Sequence, residues 1–361
     1  MFSFLFLTAL IGGFLLTPQK GYAQNTEVRE DYIGARALGM GGAQIAVVND
    51  ETALLANPAA LGKLRDVYGT ILDPEVDGSS NLNAIYKAQQ FSDPWNLGQV
   101  SQSLNVSRDK YYHAREQLFP SLVAKNFGIG IIQRKTLDAQ MNTAGTQLQT
   151  FYQDDLGVYL GFNLKFFDGR IKIGGAAKMI SRIEINRALD PTQPMDIKSN
   201  GSEGLGVGGD AGIVMTAPWV WLPTLSAVVH DIGGTSFSAA KGLRMNTTTV
   251  PQSVTQDVDV ALAVFPIHGN STRSSFTLEY DKVKEASEAK DKMRYAHVGY
   301  EFNYGDCLFL RAGMNQHYWT AGLEVASEHT QLQLASYGED VGPDGSPQED
   351  RRFVLKFAIR F

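Results

Sequence analysis

The feature that most constrains this chain is a two-residue rhythm that returns about a dozen times. In LGVYLGFNLKFF, Leu156, Val158, Leu160, Phe162, Leu164 and Phe166 share one parity, and Gly157, Tyr159, Gly161, Asn163 and Lys165 the other. IKIGGAAKMISRIEIN sets Ile171, Ile173, Met179, Ile183 and Ile185 against Lys172, Lys178, Arg182 and Glu184. RSSFTLEYD, AHVGYEFNY and CLFLRAGMN repeat the rhythm, with Arg273, Glu279, Glu301 and Arg311 on the polar side. The terminal RRFVLKFAIRF places Phe353, Leu355, Phe357, Ile359 and Phe361 opposite Arg352, Lys356 and Arg360. Side chains alternate between the two faces of a strand, so each segment has one greasy face and one charged face.

Several segments run about 10–20 residues, against about five or six for an ordinary strand. That length suits a membrane-crossing strand, which needs about 9–11 residues. Lipid cannot solvate an open sheet edge, so the strands must close on themselves. The apolar parity then meets lipid and the polar parity faces the lumen. Slipping the last strand by one residue would turn Lys356 and Arg360 outward, at about 2–4 kcal/mol each at the midplane. The expected fold is therefore all-β: a transmembrane antiparallel barrel of 14 strands, an even number as such barrels require. Twelve strands is the alternative, because the two segments near 66–73 and 119–126 are weakest.

The connections alternate in length. DGR (168–170), PWVW (218–221), HGN (268–270), GD (305–306) and SEH (327–329) are short, and most of those between them are long. Short periplasmic turns and longer outer loops produce that parity, which puts the C-terminus on the periplasmic side. Residues 75–118 lack the alternation. Leu82, Ile85 and Tyr86 recur at helical spacing, Ser92 and Asp93 precede Pro94 as N-cap candidates, and YYHAREQLF continues in that style. The expectation is a helical insertion over 75–118 in the first outer loop, with a periplasmic or luminal position as the alternative.

Upstream, FSFLFLTALIGGFLL followed by GYAQ reads as an export signal over 1–23. Residues 24–64 form a separate segment before the barrel at 65–361. Gly39, Gly41 and Gly42 permit close backbone approach, Asn57-Pro58 favours a turn, and ETALLA is a short helix candidate. This stretch either begins the wall or tucks into the lumen as a hatch.

GARALGMGG resembles the N-terminal region of the FadL-like outer-membrane barrels, as do Ala43, Asp50 and Asn57-Pro58-Ala59-Ala60-Leu61. Ala60 stands where those proteins usually carry Gly. That group includes fatty-acid transporters, PorV-type proteins and the TraF-like set, to which FYQDDLGVYLGFNLKFFDGRIKIG and the terminal Phe361 are also similar. The resemblance implies a plug in the lumen and passive uptake of small hydrophobic compounds. It equally admits an accessory barrel that docks secreted or periplasmic proteins, or a closed structural barrel. It also implies that Phe357, Ile359 and Phe361 are read by the outer-membrane assembly machinery. The expected setting is the outer membrane of a Gram-negative bacterium, as a monomer in lipid.

No catalytic spacing is present, and the six His are scattered. One Cys excludes an internal disulfide and paired-cysteine metal sites. A net charge of −6 without a basic block argues against nucleic acid. The expectation is no enzyme, no cofactor and no metal. The informative charges are Lys178, Arg182, Glu184, Arg273, Glu279, Glu301, Arg311 and Lys356. They are expected to neutralise one another in the lumen, to line a polar path, or to anchor the plug.

Overall fold

A computed structural model describes residues 27–89, 93–108, 110–239 and 242–361. The export signal over 1–23 lies outside the described residues. Seventeen strand segments make one antiparallel sheet. They are β1 (Tyr68–Leu72), β2 (Glu75–Ser79), β3 (Tyr111–Leu118), β4 (Ser121–Ala124), β5 (Phe127–Met141), β6 (Leu148–Phe166), β7 (Ile171–Leu189), β8 (Ser202–Thr216) and β9 (Thr224–His230). Then follow β10 (Phe237–Ala239), β11 (Asp257–Val264), β12 (Thr272–Tyr280), β13 (Ala296–Tyr304), β14 (Leu308–Asn315), β15 (Tyr318–Ala326), β16 (Thr330–Asp340) and β17 (Glu349–Arg360). Three barrel strands are interrupted: β1 with β2, β3 with β4, and β9 with β10 each form one. The barrel thus has 14 strands. The last strand, β17, pairs with both β1 and β2 and closes it. Among the described residues no helix is long and apolar enough to cross a membrane.

Burial follows parity as the sequence predicts. On β6, Leu156, Val158, Leu160, Phe162 and Leu164 are exposed to the surroundings, while Asp155, Gly157, Tyr159, Gly161 and Asn163 between them are buried. The same outward row continues through Leu278, Val298, Leu310, Leu323, Leu334 and Leu355. In water this belt would be a large apolar liability; in hydrocarbon it is the outer face of a membrane barrel.

The helical insertion is narrower than its expected 75–118 limits. Helices α3 (Leu82–Gln89) and α4 (Leu97–Val106) occupy only its centre, and the flanks are wall. The YYHAREQLF stretch is strand, not helix, through its residues of β3. His113, Arg115 and Gln117 point inward at buried polar partners, while Tyr112 and Ala114 are covered from outside. Both faces are buried, so the contrast that reveals a strand is missing.

The covering comes from these helices and from outer-loop residues, among them Met195, Ile197 and Met245. Ile85, Leu97, Val100 and Leu104 pack on Tyr112, Leu137, Met141, Tyr152, Ile183 and Ile185. These wall residues carry the outward parity. The long strands β5–β7 therefore rise beyond the lipid-facing belt, and α3 and α4 coat their outer face as a collar. Ile183 and Ile185 share a face with Ile173 and Met179, yet meet protein where the other two are open.

The C-terminal residue closes the barrel. Phe361 exchanges backbone hydrogen bonds with Gly69 (N to O 3.0 Å, and 3.1 Å in return). Its ring lies against Gly69, where a Cβ would collide. Phe361→Ser keeps the ladder bonds and loses the ring contact. The expected result is a clear fall in heat-modifiable, membrane-assembled protein, read on gels of outer-membrane fractions. Wild-type levels of assembled protein would remove the reason for an aromatic at this position.

Candidate functional site

The segment 27–64, the hatch, packs against the inner face of the wall and adds no strand to it. It enters as an extended chain, forms α1 (Ala35–Gly39), turns through Met40–Gly42, and continues to α2 (Ala53–Ala56) and a 3-10 turn, Pro58–Lys63. Every residue from Ala37 to Val48 is buried.

Small residues on both sides bring the backbones together. A Cβ at Gly39 would stand 3.1 Å from the Gly322 Cα. Gly41 adopts φ +72°, and a Cβ there would meet the Met314 carbonyl at 2.6 Å and the Val298 carbonyl more closely still. Gly313 on the wall answers it, its own Cβ position lying 2.6 Å from the Gly41 N. Gly42 lies against the His297 ring, whose Nδ1 donates to the Gly41 carbonyl at 2.8 Å.

Asn57 is fully buried and extended, the conformation a residue before proline prefers. Its Nδ2 donates to the Ile45 carbonyl (2.9 Å) and to Ser226 Oγ (2.8 Å), and its Oδ1 accepts from Ala59 N (3.0 Å). Pro58 then starts the 3-10 turn, where its missing N–H costs nothing. Wall residue Gly174 leaves room for the Pro58–Ala59 backbone, and a Cβ there would collide with it.

Ion pairs lock the segment to the wall. Glu27 meets Arg352 (2.9 Å), Arg29 meets Asp138 (2.7 Å), and Asp31 meets Lys178 (2.6 Å). Arg36 binds Glu301 (2.9 Å) and Asp50 (2.8 Å), and Glu51 accepts from Arg360 (2.7 Å). Most of the expected luminal charges belong to this lattice. Lys178 also meets Asp210 and Asp231, Arg182 forks onto Asp155, and Lys356 lies 3.2 Å from Asp73. Arg311 bridges Glu301 and Glu324. Glu279 accepts from the Gln44 and Ile45 amides (2.7 and 2.9 Å). Glu184 is buried on the luminal side. Arg273 stands apart, half-exposed beside Asp306 at the rim that carries the short turns.

Sequence reasoning missed Asp31, Glu51, Asp73 and Arg36, because their partners lie far along the chain. Asp154 and Asp155 likewise look like a solvated pair in sequence. In the fold they point to opposite faces, toward Arg244 and Arg182.

Beneath the hatch a cavity of about 950 Å³ opens toward the short turns, lined by Arg36, Lys63, Phe265, Phe309, Glu324 and Phe361 among others. Burial, with Lys172 and Arg36 nearby, pushes the Lys63 ammonium down to about 7. Above the hatch lie two small cavities of about 70 and 90 Å³.

The wall has a seam beside the hatch where β1 and β2 meet β3 and β4. Pro74 and Pro120 interrupt neighbouring strands at the same height, and proline gives the ladder no N–H. Paired residues resume only at Thr70–Ser121 below and Glu75–Gln117 above. Asp73 bridges the gap, its carboxylate accepting from Phe119 N at 2.6 Å. On the luminal side lie Phe119 and Tyr32, ring centroids 6.2 Å apart, in a cluster with Leu54, Leu55 and Leu61. Outside it are Ile71 and Leu72, both exposed.

Wall and plug together define a closed 14-strand antiparallel β-barrel with a segment packed in its lumen, a fold shared with solved hydrocarbon channels. The chain superposes on the TodX deltaS2S3 mutant monoaromatic hydrocarbon channel with a TM-score of 0.55 at 13% identity, covering 91% of this chain and 99% of that one. For the CymD monoaromatic hydrocarbon channel the values are 0.52 and 10%, with 91% and 97% covered. For the Pseudomonas putida toluene transporter TodX they are 0.50 and 11%, with 94% and 99% covered. At such identities the likeness establishes the fold. No protein-family model and no curated sequence matches the chain.

Proposed function

We propose that this barrel sits in a Gram-negative outer membrane and admits small hydrophobic molecules passively, releasing them sideways through the seam at Asp73-Pro74 and Phe119-Pro120. The seam carries the reading. It is a stretch of wall without ladder pairing that joins the apolar cluster between hatch and wall to exposed Ile71 and Leu72 on the lipid side. A hydrocarbon leaving there passes from one apolar surroundings to another and avoids the charged vestibule below. Likeness in fold to hydrocarbon channels supports the same class of cargo. The alternative, an accessory barrel that docks a protein partner, draws support from the collar of α3 and α4, where Val106 is exposed.

A disulfide staple tests the seam. Thr70 and Ser121 are directly opposed at its lower edge, and opposed strand residues have Cβ atoms within about 4.5–5.5 Å, close to disulfide reach. Thr70→Cys with Ser121→Cys, in a Cys307→Ser background, should take up a radiolabelled monoaromatic hydrocarbon into liposomes when reduced. Oxidation should cut that rate by about tenfold, reversibly, as a closed gate requires. Equal uptake by the stapled and reduced forms, with the disulfide confirmed by gel shift, would rule out exit at this place.

A further inference from the structure

We propose that Glu30, Asp281 and His297 bind one divalent transition-metal ion, which clips the N-terminal segment to the barrel wall. Glu30 belongs to the extended start of the hatch, Asp281 follows β12, and His297 lies on β13. One ligand atom from each falls within 4.8 Å of the others.

The imidazole is set for the task. Its Nδ1 is 2.8 Å from the Gly41 carbonyl, which can only accept, so Nδ1 carries the proton. In the neutral ring Nε2 then holds a lone pair, and it stands 3.2 Å from Asp281 Oδ2. Metal-bound histidines are characteristically fixed in this way, by a backbone carbonyl on the far nitrogen. A zinc ion about 2.0–2.2 Å from nitrogen and oxygen ligands separates tetrahedral neighbours by about 3.3–3.5 Å, close to this spacing.

Asp281 points to a missing cation. It is 1% exposed, and apart from the Glu30 carboxyl and His297 Nε2 its carboxylate oxygens meet no described hydrogen-bond donor. The neighbouring acids already have donors. Glu279 takes two hatch amides, and Asp259 takes the Lys282 amide (2.7 Å) and lies 3.1 Å from His230 Nε2. Glu30 and His297 both line the cavity of about 70 Å³, which has room for water to complete the coordination shell. A second cluster, Asp291, His317 and Asp340, already contains a cation, since Arg294 Nε lies 3.1 Å from Asp340. One ion per chain is therefore expected. The assignment does not depend on what the barrel transports.

The test uses the full chain folded in detergent, stripped with a chelator and titrated with zinc by calorimetry, with bound metal counted by elemental analysis. The expected result is one equivalent per chain. Zinc should also slow tryptic cleavage after Arg29. Asp281→Asn should weaken binding by more than about 100-fold, since even outer-shell changes cost 10–100-fold. Glu30→Gln should do the same. That second variant sits on the plug, so it keeps the test valid if Asp281→Asn does not assemble. Folded, heat-modifiable wild type that takes up no stoichiometric zinc would overturn the assignment. So would either folded variant binding as tightly as wild type.

Discussion

Gly41→Ala should leave the barrel assembled and unseat its plug. Gly41 has φ +72°, and placing a side chain in that left-handed region costs about 1–2 kcal/mol. The added methyl would also sit 2.6 Å from the Met314 carbonyl, with Val298 O closer still. Relief of such overpacking costs about 1–3 kcal/mol more. Neither side can yield cheaply, because backbone faces backbone: Gly313 stands opposite with no side chain to move. The strained loop also carries the Gly42 N to Ala37 O bond (2.8 Å) that closes α1, and the carbonyl that orients His297. A loss of about 2–5 kcal/mol confined to the plug raises its open population by roughly 30-fold or more. Limited trypsinolysis should therefore cut after Arg36 at least that much faster, while heat-modifiability on gels stays unchanged. Gly269→Ala, with nothing within 4 Å of its added Cβ, should behave as wild type. Equal resistance of Gly41→Ala and wild type would mean that the hatch does not seat on these backbone contacts.

Much of this architecture is legible in the sequence because lipid enforces parity. Leu156 to Leu164 had to face one way and Asp155 to Asn163 the other, so the wall, its register and its direction could be read from β6 outward. Where the surroundings are protein on both sides, the reading fails. Tyr112 and Ala114 lie under the collar while His113 and Arg115 lie under the plug, and no contrast marks β3 as a strand. The same effect hides the top of the lipid belt, since Ile183 looks like Met179 until protein from the outer loops, Gly201 and Met245 among it, covers it. The glycines of the hatch motif were visible, but Gly174, Gly313 and Gly322, the wall positions that receive the hatch, look like ordinary strand glycines. The candidate metal ligands come from positions 30, 281 and 297, a spacing that no local motif contains.

The lumen's charges follow a second rule: each is tolerable only with its partner in place, which makes Arg352→Met the other costly substitution. Arg352 is 2% exposed. Its two terminal nitrogens fork onto Glu27 at 2.9 and 3.0 Å, and its Nε donates to Asp350 at 2.8 Å. Methionine preserves most of the chain length and removes the charge, so Asp350 loses its cation and Glu27 keeps only the more distant Arg29, at 3.7 Å. Breaking a buried pair from one side costs about 3–5 kcal/mol, most of it from the stranded charge. The guanidinium-unfolding midpoint of detergent-folded protein should fall accordingly. Adding Glu27→Gln should then recover stability by at least about 1 kcal/mol, because it removes one of the stranded charges; in the wild-type background the same change should destabilise. That reversal of sign separates a coupled buried pair from two independent surface charges. Arg352→Met within about 0.5 kcal/mol of wild type would place Glu27 in water. The plug would then be held by its glycine contacts and apolar cluster, with the charges as bystanders.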